Sequence, residues 1–400
     1  MRPYPGQTYK MLGSRILVLS GEASGDLHAS GLIRELLKRD PSLEISCVGG
    51  QRMKEAGASV IVPSSSLSVV GLFEVFSHLP PIASAFLKVK RWIRGKRPSL
   101  VVLVDFPEFN LMMGKYARKL GIPVFYYISP QVWAWRQGRV KKIRQIVNKM
   151  AVILPFEEDF FRGFGIDAVF VGHPLLDAIN VDEIDAQAFK RDVGLGEKER
   201  LVCLLPGSRK GEVERHLPIM MGASYKMKKE RPELRFCVAL GPGTTSSIKD
   251  SLRKIIKQGK VDARLVEGRT YEAIKAAELC IAASGTVTLE AAVLGTPMVV
   301  TYKVSSLSYH LGKRLIKVDW VSLVNLIAKR EVVPELLQLE ATPKKIAETS
   351  LHILNNRQVS ERMRSDFKKV VKRLGERGAA RRTAGLVLEL IRSSPRTSGP

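Results

Sequence analysis

Twelve short apolar runs of five to seven residues set the rhythm of this chain. The first half carries RILVLS, ISCVGG, SVIVPS, LVVLVDF, VFYYIS, MAVILP and AVFVG, and the second carries LVCLLP, RFCVAL, ARLVEG, LCIAAS and MVVTYKV. Helical patterns lie between them. Apolar strands that alternate with helices pair in parallel and are covered on both faces, so the fold class expected is α/β, with doubly wound parallel sheets. At 400 residues the chain exceeds one ordinary core and suits two domains. The seam is expected in DAINVDEIDAQAFKRDVGLGEKER, where the strand rhythm pauses and charges accumulate, giving domains over 1–180 and 181–354. Ligands of such sheets sit beyond the carboxyl ends of the strands, so the informative residues are those that follow each strand.

Four strand ends stand out. RILVLS empties into SGEASGD, a glycine turn of the kind that usually cradles phosphate, yet Glu22 and Asp26 would repel an anion. A hydroxylated ligand suits two carboxylates; the other reading is that Asp26 or Ser24 caps the following helix and Glu22 is solvated. LVVLVDFPEFN puts Asp105 directly after a strongly apolar strand, where it is either a general base beside a cleft or a helix cap, with Glu108 a solvated or helix-start charge. In LVCLLPGSRKGEVERHL, backbone amides, Ser208 and Arg209 converge at a helix start and suit a diphosphate. LCIAASGTVTLEAAVLGTP repeats the strand and turn with Ser284, Gly285 and Thr286, and places Glu290 one turn into the helix, facing the hydroxyls of a ribose. Capping and packing remain the alternative for the serines and threonines. Neither a Walker loop nor GxGxxG occurs.

A net charge of +25 implies an anionic partner, either nucleic acid or an anionic membrane surface. A nucleic-acid-binding reading lacks a zinc pattern, an RNP string and aromatic interleaving in the basic tail. In that tail Phe367, Val370, Val371 and Leu374 recur at helical spacing, so a docked amphipathic helix with a solvated basic face accounts for it. Cys47, Cys203, Cys237 and Cys280 are dispersed in apolar contexts and read as buried thiols of a reducing compartment. No run is long enough to span a membrane, and the short apolar run after the basic N-terminus breaks at Gly21, against a signal peptide.

In this order and spacing, SGEASGD, GLFEVF, DFPEFN, ISPQVWAWRQGRVKKI, LPFE, GHPLLD, LLPGSR, ASGTVTLEAA, PMVVTYK and DWVSLVNLIA resemble the lipid-A-disaccharide synthase family, from about Arg15 to near the C-terminus. The resemblance implies a GT-B glycosyltransferase, two Rossmann-like domains facing a central cleft, that joins UDP-2,3-diacylglucosamine to 2,3-diacylglucosamine 1-phosphate (lipid X) in a β-1′,6 linkage with inversion and releases UDP. It implies Asp105 as the base, the glycine-loop acids Glu22 and Asp26 as acceptor contacts and Arg209 as a donor contact; the expected site is completed by Ser24 on the acceptor side and by Ser208, Ser284, Gly285, Thr286, Glu290 and Asn325 on the donor side. No metal or cofactor is required. It further implies a peripheral place on the inner face of a Gram-negative cytoplasmic membrane, C-terminal helices over 355–400 packed back on the first domain, and a homodimer that exchanges them. Where the family commonly has Asp, this chain has Glu108. The rival of the same fold is a UDP-N-acetylglucosamine 2-epimerase or a transferase with a soluble acceptor, against which the greasy VVGLFEVFSHLPPIASAF argues.

That stretch runs straight into KVKRWIRGKR. Pro80 and Pro81 interrupt its helical pattern, so Phe73, Phe76 and Leu79 are expected to dip into a membrane interface, with Trp92 at headgroup depth and Arg91 and Arg94 against anionic headgroups. A core helix ending in a solvated basic turn is the alternative.

Overall fold

The computed structural model describes residues 14–64, 79–134, 137–241, 244–304 and 319–393. Among them, thirteen strands form two sheets of seven and six, and every paired strand runs parallel to its neighbour. The chain divides into one unit of Met1–Pro174 with Glu376–Pro400, and another of Leu175–Gly375.

The first unit holds β1 (Arg15–Ser20), β2 (Glu44–Gly49), β3 (Ser59–Pro63), β4 (Leu100–Val104), β5 (Val124–Tyr127), β6 (Lys149–Val152) and β7 (Ala168–Phe170), in the order β3-β2-β1-β4-β5-β6-β7. Side chains alternate across a strand, so each strand feeds two cores. Leu17, Leu19, Val101 and Leu103 pack with Val89 and Ile93 of α3 (Leu79–Lys96) and Met113 of α4 (Pro107–Lys119). Ile16, Val18, Val102 and Val104 pack on the other face with Leu32 and Leu36 of α1 (Ala23–Arg39) and with Val387, Leu388 and Ile391 of the helix Ala379–Ser393. That helix packs on α1 beside Gly31, where a Cβ would lie in ordinary contact with Ala380 at 3.6 Å. Arg382 ties it down, donating to the carbonyls of Val171 at 2.8 Å, Arg377 at 2.9 Å and Glu376.

The second unit holds β8 (Arg200–Leu205), β9 (Leu234–Leu240), β10 (Ala263–Glu267), β11 (Leu279–Ala283), β12 (Met298–Tyr302) and β13 (Glu335–Leu337), in the order β10-β9-β8-β11-β12-β13. The last strand was not among the apolar runs: it is three residues long and buries only Leu336 fully. The helix Arg357–Arg373, expected on the first domain with the rest of the tail, belongs here instead. Its buried stripe of Met363, Phe367 and Val370 faces the helices Val287–Leu294 and Leu323–Ala328, and Asp366 pairs with Arg330 at 2.6 Å. The helix Ala379–Ser393 belongs to the first unit and packs there on α1. All four cysteines are buried and unpaired.

Candidate active site

Each strand order reverses once about its first strand, between β1 and β4 in one sheet and between β8 and β11 in the other. Connections leave such neighbours toward opposite faces, which opens a crevice beyond their carboxyl ends. The turn Gly21–Glu22 and the first turn of α1 with Ser24 and Asp26 follow β1, Asp105 follows β4, Pro206–Arg209 follows β8 and Ser284–Thr286 follows β11. The four loops singled out in the sequence therefore flank the two reversals, two in each unit.

In the first unit the backbone itself is unusual. Asp105 and Phe106 both take positive φ, 48° and 45°. For residues with a Cβ this conformation costs about 1–3 kcal/mol each, so it persists only where the surroundings impose it. The Asp105 carbonyl accepts from Asn110 Nδ2 at 2.7 Å and from Tyr126 Oη at 2.8 Å, while its N–H donates to the Tyr127 carbonyl at 3.2 Å. The Phe106 ring occupies the space beside Gly21, where a Cβ would come within 2.3 Å of it. Asp105 is half-buried, and Glu108 is exposed and paired with Arg139 at 2.6 Å.

Along the glycine loop, Glu22 stands at the N-cap position of α1, partly buried, and Ser24 is exposed. Asp26 differs from expectation. It is buried, and its carboxylate accepts from the amides of Gly50 at 2.7 Å, Arg52 at 3.2 Å and Met53 at 3.4 Å, capping the helix Gln51–Glu55 across the sheet. A helix start offers unsatisfied N–H groups, and this carboxylate satisfies them. Asp26 thus anchors the acidic loop to β2 and is not placed to present its carboxylate to a ligand.

In the second unit Gly207 turns the chain at φ 112°, where a Cβ would also meet the Glu212 carboxylate at 2.5 Å. That carboxylate accepts from the Ser208 amide at 3.1 Å and the Arg209 amide at 3.4 Å. The two amides expected to hold a phosphate thus face a carboxylate of their own helix, and the Arg209 side chain is exposed at this turn. His216, buried one helical turn on, braces the loop: the Lys303 N–H donates to Nε2 at 3.0 Å, which makes Nδ1 the protonated nitrogen facing the Pro206 carbonyl at 3.1 Å. Burial holds its pKa below the ordinary value.

After β11, Ser284 Oγ donates to the Val321 carbonyl at 2.8 Å, and Thr288 Oγ1 to the Gly285 carbonyl at 2.8 Å. Thr286 is exposed at the start of the helix Val287–Leu294. Glu290 is partly buried, has no partner among the described residues, and is pushed by burial up to about 7. A carboxylate in that state is suited to accept hydrogen bonds from hydroxyls brought to it. Asn325 departs from expectation. It is wholly buried; Nδ2 donates to the Val333 carbonyl and to Glu335 Oε1, both at 2.8 Å, and Oδ1 accepts from the amides of Val332 at 2.7 Å and Val333 at 3.0 Å. Its whole hydrogen-bonding capacity fixes the segment Val332–Glu335 that leads into β13, leaving nothing for a donor substrate.

Phe73 and Phe76 lie outside the described residues, as does the side chain of Leu79. Pro80 and Pro81 open α3 and do not break it, since the first helical turn needs no N–H donors. Arg91 and Arg94 are exposed beside Leu87, which is 59% exposed. Trp92 is partly buried and packs against the core. Among the described residues no helix is long and apolar enough to cross a membrane. Sequence reasoning missed Asn110, Tyr126, Glu212 and His216, all within or beside the strings it singled out; their partners are main-chain groups that only the fold brings near.

The family model for lipid-A-disaccharide synthetase matches residues 16–390. Curated lipid-A-disaccharide synthases are similar over nearly the whole chain: 43% identity for that of Syntrophus aciditrophicus, over 95% of this chain and 98% of the relative, and 40% for that of Geobacter sulfurreducens, over 94% and 97%. Among solved structures, UDP-GlcNAc 2-epimerase from Neisseria meningitidis bound to UDP-GlcNAc superposes with a TM-score of 0.66 at 11% identity, covering 94% of this chain and all of that one. The calicheamicin glycosyltransferase CalG4 gives 0.59 at 15% identity, over 97% and 100%. At such identities these structures speak for the shared fold alone. With the match spanning both sheets and all four strand-end loops, this chain belongs to the lipid-A-disaccharide synthase family of glycosyltransferases, which act in lipid A biosynthesis.

Proposed function

We propose that the reaction is the inverting transfer of 2,3-diacylglucosamine from UDP to the 6-hydroxyl of 2,3-diacylglucosamine 1-phosphate. The observation that carries it is Asp105, held at positive φ at the strand-order reversal with the acidic glycine loop on the neighbouring strand. Its carboxylate takes the proton of the 6-hydroxyl while that oxygen attacks the anomeric carbon from the face opposite the departing UDP. The bond to the diphosphate breaks, and the negative charge that accumulates there is stabilised by Arg209. Glu22 and Ser24 accept from and donate to acceptor hydroxyls, whereas Asp26 keeps their loop in register through the helix Gln51–Glu55. Glu290 receives the ribose hydroxyls, beside the turn Ser284–Thr286.

Both substrates are acylated, so the protein works at a bilayer surface. Leu87, Arg91 and Arg94 on the exposed side of α3 suit an interface with anionic headgroups. The test supplies both acylated sugars in vesicles containing anionic lipid. UDP release is expected only when both are present, and Arg91→Glu with Arg94→Glu should reduce vesicle flotation chiefly at low salt. Epimerisation of UDP-N-acetylglucosamine without an acceptor, and no disaccharide, would overturn the reading in favour of an epimerase.

A further inference from the structure

We propose that Asn110 and Tyr126 are positioning residues for this reaction, which pin the carbonyl of Asp105 from two different elements and so aim its carboxylate. The inference rests on Asp105 being the base.

A residue just beyond a strand end normally has freedom to relax, and one at φ 48° followed by another at 45° has a steric reason to do so. Here it is held at both ends. The N–H continues the pairing of β4 with β5 by donating to Tyr127, and the carbonyl receives two side-chain donors. Tyr126 comes from β5 and is wholly buried, with only its hydroxyl reaching the turn. Burial, together with the charges of Asp105 and Glu108, raises its pKa well above the ordinary value, so the phenol remains a donor.

Asn110 comes from α4 and is also wholly buried. Its Nδ2 lies 2.7 Å from the Asp105 carbonyl, 3.1 Å from that of Val104 and 3.2 Å from that of Leu19. Its Oδ1 has no hydrogen-bond partner among the described residues. A buried amide whose oxygen meets no donor is retained for its N–H groups, since an apolar residue would otherwise pack there without an orphaned oxygen. Those N–H groups link the ends of β1 and β4 to the Asp105 turn, so one side chain sets the Asp105 backbone relative to the strand from which the acidic loop departs. Phe106 against Gly21 closes the other side of the same turn. With its backbone so fixed, Asp105 retains only its side-chain torsions, and these are what a base needs to meet one hydroxyl.

Tyr126→Phe deletes one donor at constant volume, and Asn110→Asp sets carboxylate oxygens against three carbonyls. A misaimed base slows the chemical step without loosening substrate, so kcat should fall about 10- to 100-fold in Tyr126→Phe, with KM for both sugars within about threefold and UDP affinity unchanged. Asn110→Asp should fall further. Asp105→Asn is run alongside: if it loses turnover while folded Tyr126→Phe keeps kcat within about threefold of the parent, the positioning role is wrong and the base stands. If Asp105→Asn keeps turnover, the base assignment fails and the positioning role falls with it. Should Asn110→Asp fail to fold, Tyr126→Phe alone decides.

Discussion

After β8 the chain turns through Gly207 at φ 112°, and after β4 it turns through Asp105 and Phe106 at 48° and 45°. Glycine takes such a conformation without steric penalty, so the first turn needs little from its surroundings beyond room for the Glu212 carboxylate. The second turn cannot use glycine if a carboxylate is to stand there. Its strain is instead offset by buried donors from α4 and β5 and by the Phe106 ring seated on a different glycine, Gly21. A turn that only binds can be built from permissive backbone. A turn that must hold a reactive side chain is built from its neighbours.

The largest effect is expected at the turn after β4. Asp105→Asn keeps size and hydrogen bonding but accepts no proton, so turnover should fall by about two to four powers of ten while calorimetric UDP affinity stays at the parental value. A loss of UDP affinity instead would make Asp105 part of the binding turn. Next is Arg209→Ala, which removes a charge-assisted contact with the diphosphate. UDP binding should weaken by about 1.5–3 kcal/mol, roughly 10- to 150-fold, with acceptor binding untouched. Unchanged affinity would move the diphosphate elsewhere.

The smallest effect concerns Glu290, and it sharpens the contrast through pH. Burial raises its pKa from 4.5 to about 7, so the folded protein holds a proton there that the unfolded chain has released. Stability is therefore lost as pH rises from about 4.5 through about 7, the reverse of a salt-bridged carboxylate. Glu290→Gln removes that term, and its melting temperature relative to the parent should rise across this window while UDP affinity falls modestly. A parallel pair of melting curves would show that Glu290 ionises as freely as a surface residue.

Why some of this was legible in the sequence and some was not has a physical basis. Parallel strands buried on both faces are nearly continuous apolar runs, and the residues after them announce themselves by breaking the run, as Gly21, Asp105, Pro206 and Ser284 do. β13 gave no such signal because Glu335 and Leu337 flank a single fully buried residue. The stripe Phe367, Val370, Leu374 revealed that its helix docks, but a stripe does not say against which unit. Asp26 and Asn325 sit in the right strings and yet serve their own backbone, because a carboxylate or amide that could meet a ligand can equally meet an amide N–H. Asn110 was invisible for the converse reason: its partners are the carbonyls of Leu19, Val104 and Asp105, brought together only when β1 and β4 pair.

The docking of Ala379–Ser393 on α1 sets an order of events during synthesis. The first sheet is complete in sequence once β7 is made, but the core on the face of Ile16, Val18 and Val102 lacks Val387, Leu388 and Ile391 until the last helix emerges. At the usual pace of about 5–20 residues per second, the ribosome takes some ten to forty seconds to add the second unit and reach that helix. For that interval the nascent first unit carries an uncovered apolar face, a surface that a holding chaperone would recognise, and it becomes whole only when the helix Ala379–Ser393 has emerged.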